Sequence, residues 1–216
     1  MNKDFSVQVK KGYYLRKKYN DLERFISYYY QIATVIDLGV DNILEIGVGN
    51  KLTADYLKSL EIRVTTCDFD DQVKPDILGD VRDLPVSDNS FDAVLAFQIL
   101  EHLPFEEFPR ALSELKRVSR QYVVISLPFR STYFELVIKF PFIRTLLKKH
   151  WLDLTLRKGV KFPGFEAGGQ HYWEIDQHQY KLKNIKKILK EHFDIVREFS
   201  PVLDKYHYFF VLKKKT

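Results

Sequence analysis

A single cysteine, Cys67, stands among 216 residues, so an internal disulfide framework is impossible and no cysteine-built metal site is visible. Long hydrophobic runs are lacking too. The longest apolar stretch, Phe134 to Leu147, is interrupted by Glu135, Lys139, Pro141 and Arg144, which is too broken for a bilayer-spanning helix. The opening residues, Met1 to Lys11, lack the apolar core of a secretory signal, and a reducing, cytoplasmic location is expected. Charge is nearly balanced: 34 Lys and Arg against 29 Asp and Glu leave a formal net charge of +5. The basic clusters Lys10-Lys11, Arg16-Lys17-Lys18, Lys148-Lys149 and Lys213-Lys214-Lys215 are scattered and read as solvated surface. That balance does not support a large phosphate-contacting face, so a nucleic-acid partner is not expected. Repeats and low-complexity linkers are absent.

What is present is an ordinary globular composition rich in aromatics, with 17 Phe and 13 Tyr. Strand-like and helix-like segments alternate. Ile43 to Ile46, Ile62 to Cys67, Phe91 to Phe97 and Tyr122 to Leu127 are short apolar runs of strand length, with a further short strand near Asp76 to Leu78. Between them lie Thr53 to Leu60 and Pro104 to Val118, the latter with Phe105, Phe108, Leu112, Leu115 and Val118 at helical spacing. Such alternation predicts a parallel sheet covered by helices on both faces. Gly12 to Leu38 and Lys181 to His192 are expected as helices. Phe193 to Phe199 and Tyr206 to Lys213 are expected as a closing antiparallel pair. From Phe129 to Tyr180 the rhythm is lost: Phe134 to Leu156 is expected to be a basic amphipathic helix, followed by a glycine- and aromatic-rich loop from Gly159 to His171.

The chemistry concentrates at strand ends. Ile43-Leu44-Glu45-Ile46-Gly47-Val48-Gly49-Asn50 is a strand running into a glycine turn and then a helix. Glycine suits a sharp turn that lets backbone approach a ligand, and in open α/β sheets ligands bind at this crevice. A dinucleotide site wants a further glycine, but that position is Leu52. S-adenosylmethionine fits better: Glu45 can attract its ammonium, and the loop N–H groups can face its carboxylate. Asp68 ends the second strand, where an acid bonds ribose hydroxyls. Asp80 and the adjacent N–H of Val81 can grip the adenine edge, a pairing that rejects other bases. Each acid also has a plainer reading, Glu45 as a helix-dipole partner and Asp68 and Asp80 as loop caps.

Taken in order, Ile43 to Gly49, Thr66-Cys67-Asp68, Gly79 to Pro85, Ser90 to Val94 and Leu100-Glu101-His102-Leu103 resemble the motifs of class I S-adenosylmethionine-dependent methyltransferases, closest to the broad subgroup with an L-E-H-L/I segment. The resemblance covers roughly residues 40 to 130, with one departure: Lys51 stands where the family often has a third glycine. It implies a Rossmann-like α/β fold with a seven-stranded, mostly parallel sheet in the order 3-2-1-4-5-7-6, the last strand antiparallel, and a small helical or loop cap. It implies one domain over 1–216, with an N-terminal helical lid over 1–38 and a cap insertion over 129–180. S-adenosylmethionine is the implied cofactor, held by Glu45, Gly47, Gly49, Asp68, Phe69, Asp80, Val81 and Phe97.

The acceptor side is less legible. His102 is either a general base toward an acceptor hydroxyl or a residue that fixes its loop. Some relatives bind a divalent metal through E-x-x-E-H, but here the first position is Gln98, and no metal is expected. The segment from Gly168 to Ile175 is either a lid, with His171 or Glu174 taking a proton, or a packed connector anchored by Trp173. Methyl transfer to a small molecule or glycan, by O-methylation, is the expected activity. A catalytically silent cofactor-binding scaffold, a lipid or quinone methyltransferase and a nucleic-acid methyltransferase are the alternatives. A monomer or homodimer is expected, and Phe134 to Leu156 is read as a cap over the acceptor pocket, with a dimer contact or a transient membrane-surface contact as the alternatives.

Overall fold

A computed structural model of the chain describes residues 14, 16, 19–158, 171–177 and 179–215. The first thirteen residues, which include the start of the expected N-terminal lid, and all of the glycine-rich segment from Gly159 to Gln170 lie outside the described residues.

Seven strands form one sheet: β1 (Asn42–Ile46), β2 (Arg63–Asp68), β3 (Ile77–Leu78), β4 (Phe91–Phe97), β5 (Ser119–Pro128), β8 (Phe193–Phe199) and β9 (His207–Lys214). Their order is β3-β2-β1-β4-β5-β9-β8. The first five run parallel, whereas β9 is antiparallel to both β5 and β8. This is the expected topology, once the strands β6 (Thr132–Ile138) and β7 (Leu152–Lys158) outside the sheet are counted. Among the described residues, five α-helices complete the fold: α1 (Leu22–Leu38), α2 (Leu52–Ser59), α3 (Phe108–Val118), α4 (Ile143–Leu147) and α5 (Leu182–His192).

Consecutive strand residues point to opposite faces, and both faces are apolar, which is why the strands read as unbroken hydrophobic runs. On one face Leu44, Val94, Val123 and Phe210 pack under Phe108, Leu112 and Leu115 of α3 and Ile185 and Leu189 of α5. On the other, Ile43, Ala93, Val124 and Phe209 meet Val35 of α1 and Ala54 and Leu57 of α2. The helix α1 begins later than expected. Asp21 caps it by accepting from the Arg24 amide at 2.9 Å, and Gly39 closes it at φ 63°.

The expected helix from Phe134 to Leu156 is corrected by the structure. Most of that stretch is an antiparallel hairpin of β6 and β7, with the short α4 at its tip. The reason is a period of two: Phe134, Leu136 and Ile138 pair with Leu156, Leu154 and Leu152, while Tyr133, Glu135 and Val137 pair with Arg157, Thr155 and Asp153. That pattern sorts apolar from polar residues onto two faces of a ribbon, and Pro141 interrupts any continuous helix.

Trp173 ties the segment after the hairpin to the core. It is fully buried, donates from Nε1 to the Leu103 carbonyl at 3.1 Å, and meets Phe105, Phe108 and Tyr180. Replacing it with alanine is expected to cost about 3–5 kcal/mol. Urea unfolding should show this as a lower midpoint, with Trp173→Phe intermediate.

Candidate functional site

The carboxyl ends of β1, β2 and β4 surround a cavity of about 400 Å³. Gly47 and Gly49 take φ values of 77° and 50° in the turn after β1. At Gly47 a Cβ would lie 2.1 Å from Cγ2 of Ile99, so the turn and the loop after β4 can approach only across a glycine. Lys51, where the family often has glycine, adopts the left-handed conformation itself at φ 63°, and its ammonium donates to the Lys74 carbonyl. The departure seen in the sequence therefore keeps a glycine-like backbone. Asn50 supports the turn, accepting from the Leu52 amide at 3.1 Å and donating to the Tyr28 hydroxyl at 2.9 Å.

Asp68 closes the turn from the neighbouring strand. Its carboxylate accepts from the amides of Val48 and Asp70, both at 3.0 Å. Burial pushes its pKa upward against those two bonds. Glu45, the fourth residue of β1, is buried, and its Oε2 has no hydrogen-bond partner among the described residues. Burial, reinforced by the Asp55 carboxylate and opposed by Lys58, pushes its pKa up to about 8. Asp80 is gripped by Arg82: its Oδ1 accepts from the Arg82 amide and Nε, each at 2.8 Å, and its Oδ2 pairs with the guanidinium. Burial raises the Asp80 pKa, but the Arg82 bonds outweigh it and hold the group low. Phe69, half exposed, and the buried Val81 and Phe97 supply apolar wall.

The opposite wall is built around Glu101, in the short turn Leu100–His102 after β4. Glu101 is fully buried and neither carboxyl oxygen has a partner among the described residues. Burial, partly offset by His171, pushes its pKa up to about 7. The rings of His102 and His171 meet edge to face at 4.8 Å. Nδ1 of His171 bonds Oε1 of Glu174 at 2.8 Å, and the Tyr206 hydroxyl donates to the same oxygen at 3.0 Å. Burial alone would lower the His171 pKa, yet the Glu174 bond and the Glu101 charge raise it. Burial would raise the Glu174 pKa, but its bonds to His171 and Tyr206, with the Arg130 charge, hold it low. Glu101, His102 and His171 also present ligand atoms within 4.8 Å of one another, a carboxylate and two imidazoles of the type that divalent metals accept.

Glu45, Gly47, Gly49, Asp68, Phe69, Asp80, Val81, Phe97, His102 and His171 thus line one cavity, whereas Glu174 and Glu101, also singled out in the sequence, do not line it. The segment around Trp173 proves to be connector and wall at once. Sequence reasoning missed Tyr206 and Arg24, which also line the cavity. They come from the entry to β9 and from α1, and no local motif marks them.

An open, mostly parallel sheet with a ligand cavity beyond the ends of β1, β2 and β4 defines the class: a Rossmann-like α/β domain with its site at the switch point. Residues 44–127 match the family model described as a methyltransferase domain. No curated protein sequence matches the chain. Many solved structures share its fold, among them these three. A protein from Pyrococcus horikoshii OT3 is 15% identical with a TM-score of 0.63, covering 96% of this chain and 100% of that one. Magnesium protoporphyrin IX methyltransferase from Synechocystis PCC 6803, with bound S-adenosylhomocysteine, is 16% identical with a TM-score of 0.61, covering 94% and 93%. The N-methyltransferase NodS from Bradyrhizobium japonicum WM9, in complex with S-adenosylhomocysteine, is 12% identical with a TM-score of 0.60, covering 96% and 94%. The chain thus shares the Rossmann-like fold of these structures, and its central residues 44–127 are similar to a methyltransferase domain. Among the described residues, no helix is long and apolar enough to cross a membrane.

Glu45 and Glu101 retain protons in the folded protein at pH values where the unfolded chain has released them. Stability of the ligand-free protein should therefore fall as pH rises from the ordinary carboxylate range through about 7 and about 8. Urea midpoints are expected to decline over that interval, and Glu45→Gln should flatten the upper part of the slope. A midpoint that climbs over the same interval would contradict the assigned proton uptake.

Proposed function

We propose that this chain transfers the methyl group of S-adenosylmethionine to a hydroxyl of a small molecule or glycan. The observation that carries the cofactor half is Glu45, a buried carboxylate with an unpartnered oxygen beside a positive-φ glycine turn. An ammonium placed there would meet an otherwise uncompensated acceptor. Asp68, whose two oxygens each have a further lone pair, suits ribose hydroxyls, and Asp80 with Val81 suits the adenine edge. A dinucleotide is a poorer fit, because Leu52 replaces the glycine that close packing against a pyrophosphate requires. When bound, S-adenosylmethionine supplies an electrophilic methyl on a sulfonium.

The protein's share of the work is then alignment, exclusion of water and a route for one proton. His171, oriented by Glu174, is the group suited to accept the proton of the acceptor hydroxyl as the oxygen–methyl bond forms and the sulfur–methyl bond breaks. His102 flanks it, and the protonated form of Glu101 behind them keeps that wall from carrying a full buried charge. The reading as proton acceptor is preferred to metal ligation because the Gln98 amide, which donates to the Ser126 hydroxyl at 3.3 Å, leaves the set one carboxylate short of the E-x-x-E-H pattern.

Isothermal titration with S-adenosylhomocysteine, beside NAD as control, tests the cofactor half. Wild type should bind the first ligand alone. Glu45→Gln should weaken binding roughly 10- to 100-fold, the range for a lost charge-assisted bond, and Asp68→Ala should abolish it. Preference for NAD would sink the assignment. Because the ammonium requires ionised Glu45, wild-type affinity should rise with pH up to about 8 and that rise should vanish in Glu45→Gln.

Release of S-adenosylhomocysteine during turnover of a hydroxyl acceptor tests the second half and separates an enzyme from a silent scaffold. His171→Ala should lower kcat by about 10²–10⁴-fold without changing S-adenosylhomocysteine affinity. The rate should rise with pH through the raised His171 pKa, and Glu174→Gln should move that limb to lower pH. Activity lost to a chelator and restored by a divalent cation would replace the proton acceptor with a metal.

A further inference from the structure

The hairpin of β6 and β7 has two unlike faces. The inward one is polar and tied to the body of the protein. Lys205, which is buried, pairs with Glu135 at 2.9 Å and Asp153 at 3.8 Å. Arg157 donates to the Ser131 and Ser200 hydroxyls, both at 2.6 Å, and lies over the Phe129 ring at 4.1 Å. The outward face carries Phe134, Leu136 and Ile138 opposite Leu156, Leu154 and Leu152. Five of these six are exposed: Phe134 and Leu156 by 60%, Leu154 by 54%, Ile138 by 46% and Leu136 by 43%.

The apolar surface continues to the tip, where Phe142 is 76% and Leu146 71% exposed. Isolated apolar residues on a surface need no partner, but a contiguous patch on a ribbon held rigidly from behind does. The same stretch is cationic. Between Glu135 and Asp153 the sequence has no acidic residue, while Lys139, Arg144, Lys148 and Lys149 are present with His150, all exposed.

We propose that the outer face and tip of this hairpin dock on an anionic phospholipid surface. Apolar side chains flanked by cations match the two parts of such a surface, acyl chains at the headgroup boundary and negative charge above them. A second copy of the chain fits less well, because the outer face and tip, Leu136 to Leu152, carry cations and no acidic side chain that could pair with those of another copy. The ribbon is anchored by charged and hydroxyl groups on its inner face, so insertion of the outer face requires no unfolding. The inference is independent of the ligand in the cavity.

Co-sedimentation with phosphatidylcholine vesicles, with and without phosphatidylglycerol, tests it on the full chain. Wild type should bind the anionic vesicles and lose that binding as salt rises. Trp151, at the base of the hairpin tip, should shift its emission to shorter wavelength on binding, while the buried Trp173 stays unchanged. The paired substitutions Phe142→Ser with Leu146→Ser, and Lys148→Glu with Lys149→Glu, should each weaken binding at least roughly tenfold. These residues lie outside the cavity, and unchanged S-adenosylhomocysteine titration and circular dichroism would show that both variants fold. Absence of binding to anionic vesicles, or binding that both variants retain, overturns the proposal. So does a dimer in sedimentation velocity without vesicles that the same substitutions dissociate.

Discussion

The bond from the Val48 amide to the Asp68 carboxylate holds together everything on the ligand side of the sheet. It joins the turn after β1 to the end of β2, two strands that run in register from Asn42 with Arg63 to Ile46 with Cys67. With the second oxygen of Asp68 taken by the Asp70 amide, the carboxylate fixes both turns. Glu45 then has a defined place beside them, and Gly47 can lie against Ile99. A carboxylate holding two backbone N–H groups is a stiff joint in a buried setting, because the cost of leaving any of the three unpaired is large.

The other wall of the cavity obeys a different logic. Glu101 is buried with neither carboxyl oxygen partnered among the described residues and Glu45 with its Oε2 unpartnered, and burial drives both toward the neutral form. A fold that retains such groups carries a stability cost near neutral pH, and the cost is lowered when a ligand supplies the missing partner. Around Glu101 the cost is partly offset in place by His171, whose own ring is oriented by Glu174 and Tyr206. The cavity therefore has an end suited to a fixed cation and an end suited to a mobile proton.

The hairpin shows where periodicity misleads. From Phe134 to Leu156 apolar residues are frequent enough to fit a helix loosely, and a basic amphipathic helix is what the composition suggests. The decisive feature is that Glu135, Asp153, Thr155 and Arg157 all fall on one face of a two-residue repeat. Partners of Glu135, Asp153 and Arg157, namely Lys205, Ser200 and the Leu203 amide, lie far along the chain. A short polar–apolar alternation has no preference for strand until something distant pairs with its polar face.

The sequence alone determined the doubly wound sheet and the strand-end residues that line the cavity. Alternating apolar strands and amphipathic helices are local patterns, and Glu45, Asp68 and Asp80 each sit at a strand end whose chemistry is local as well. Even Lys51, the one departure from the family motif, was visible as a position, although only its φ of 63° revealed that the backbone is unchanged. Tertiary structure decided what crosses long stretches of chain: Trp173 on the Leu103 carbonyl, His171 beside Glu101 and His102, Tyr206 on Glu174, and Lys205 beneath the hairpin. Those contacts depend on how packed elements bring side chains within bonding distance, and no spacing in the sequence encodes a distance between residues that far apart.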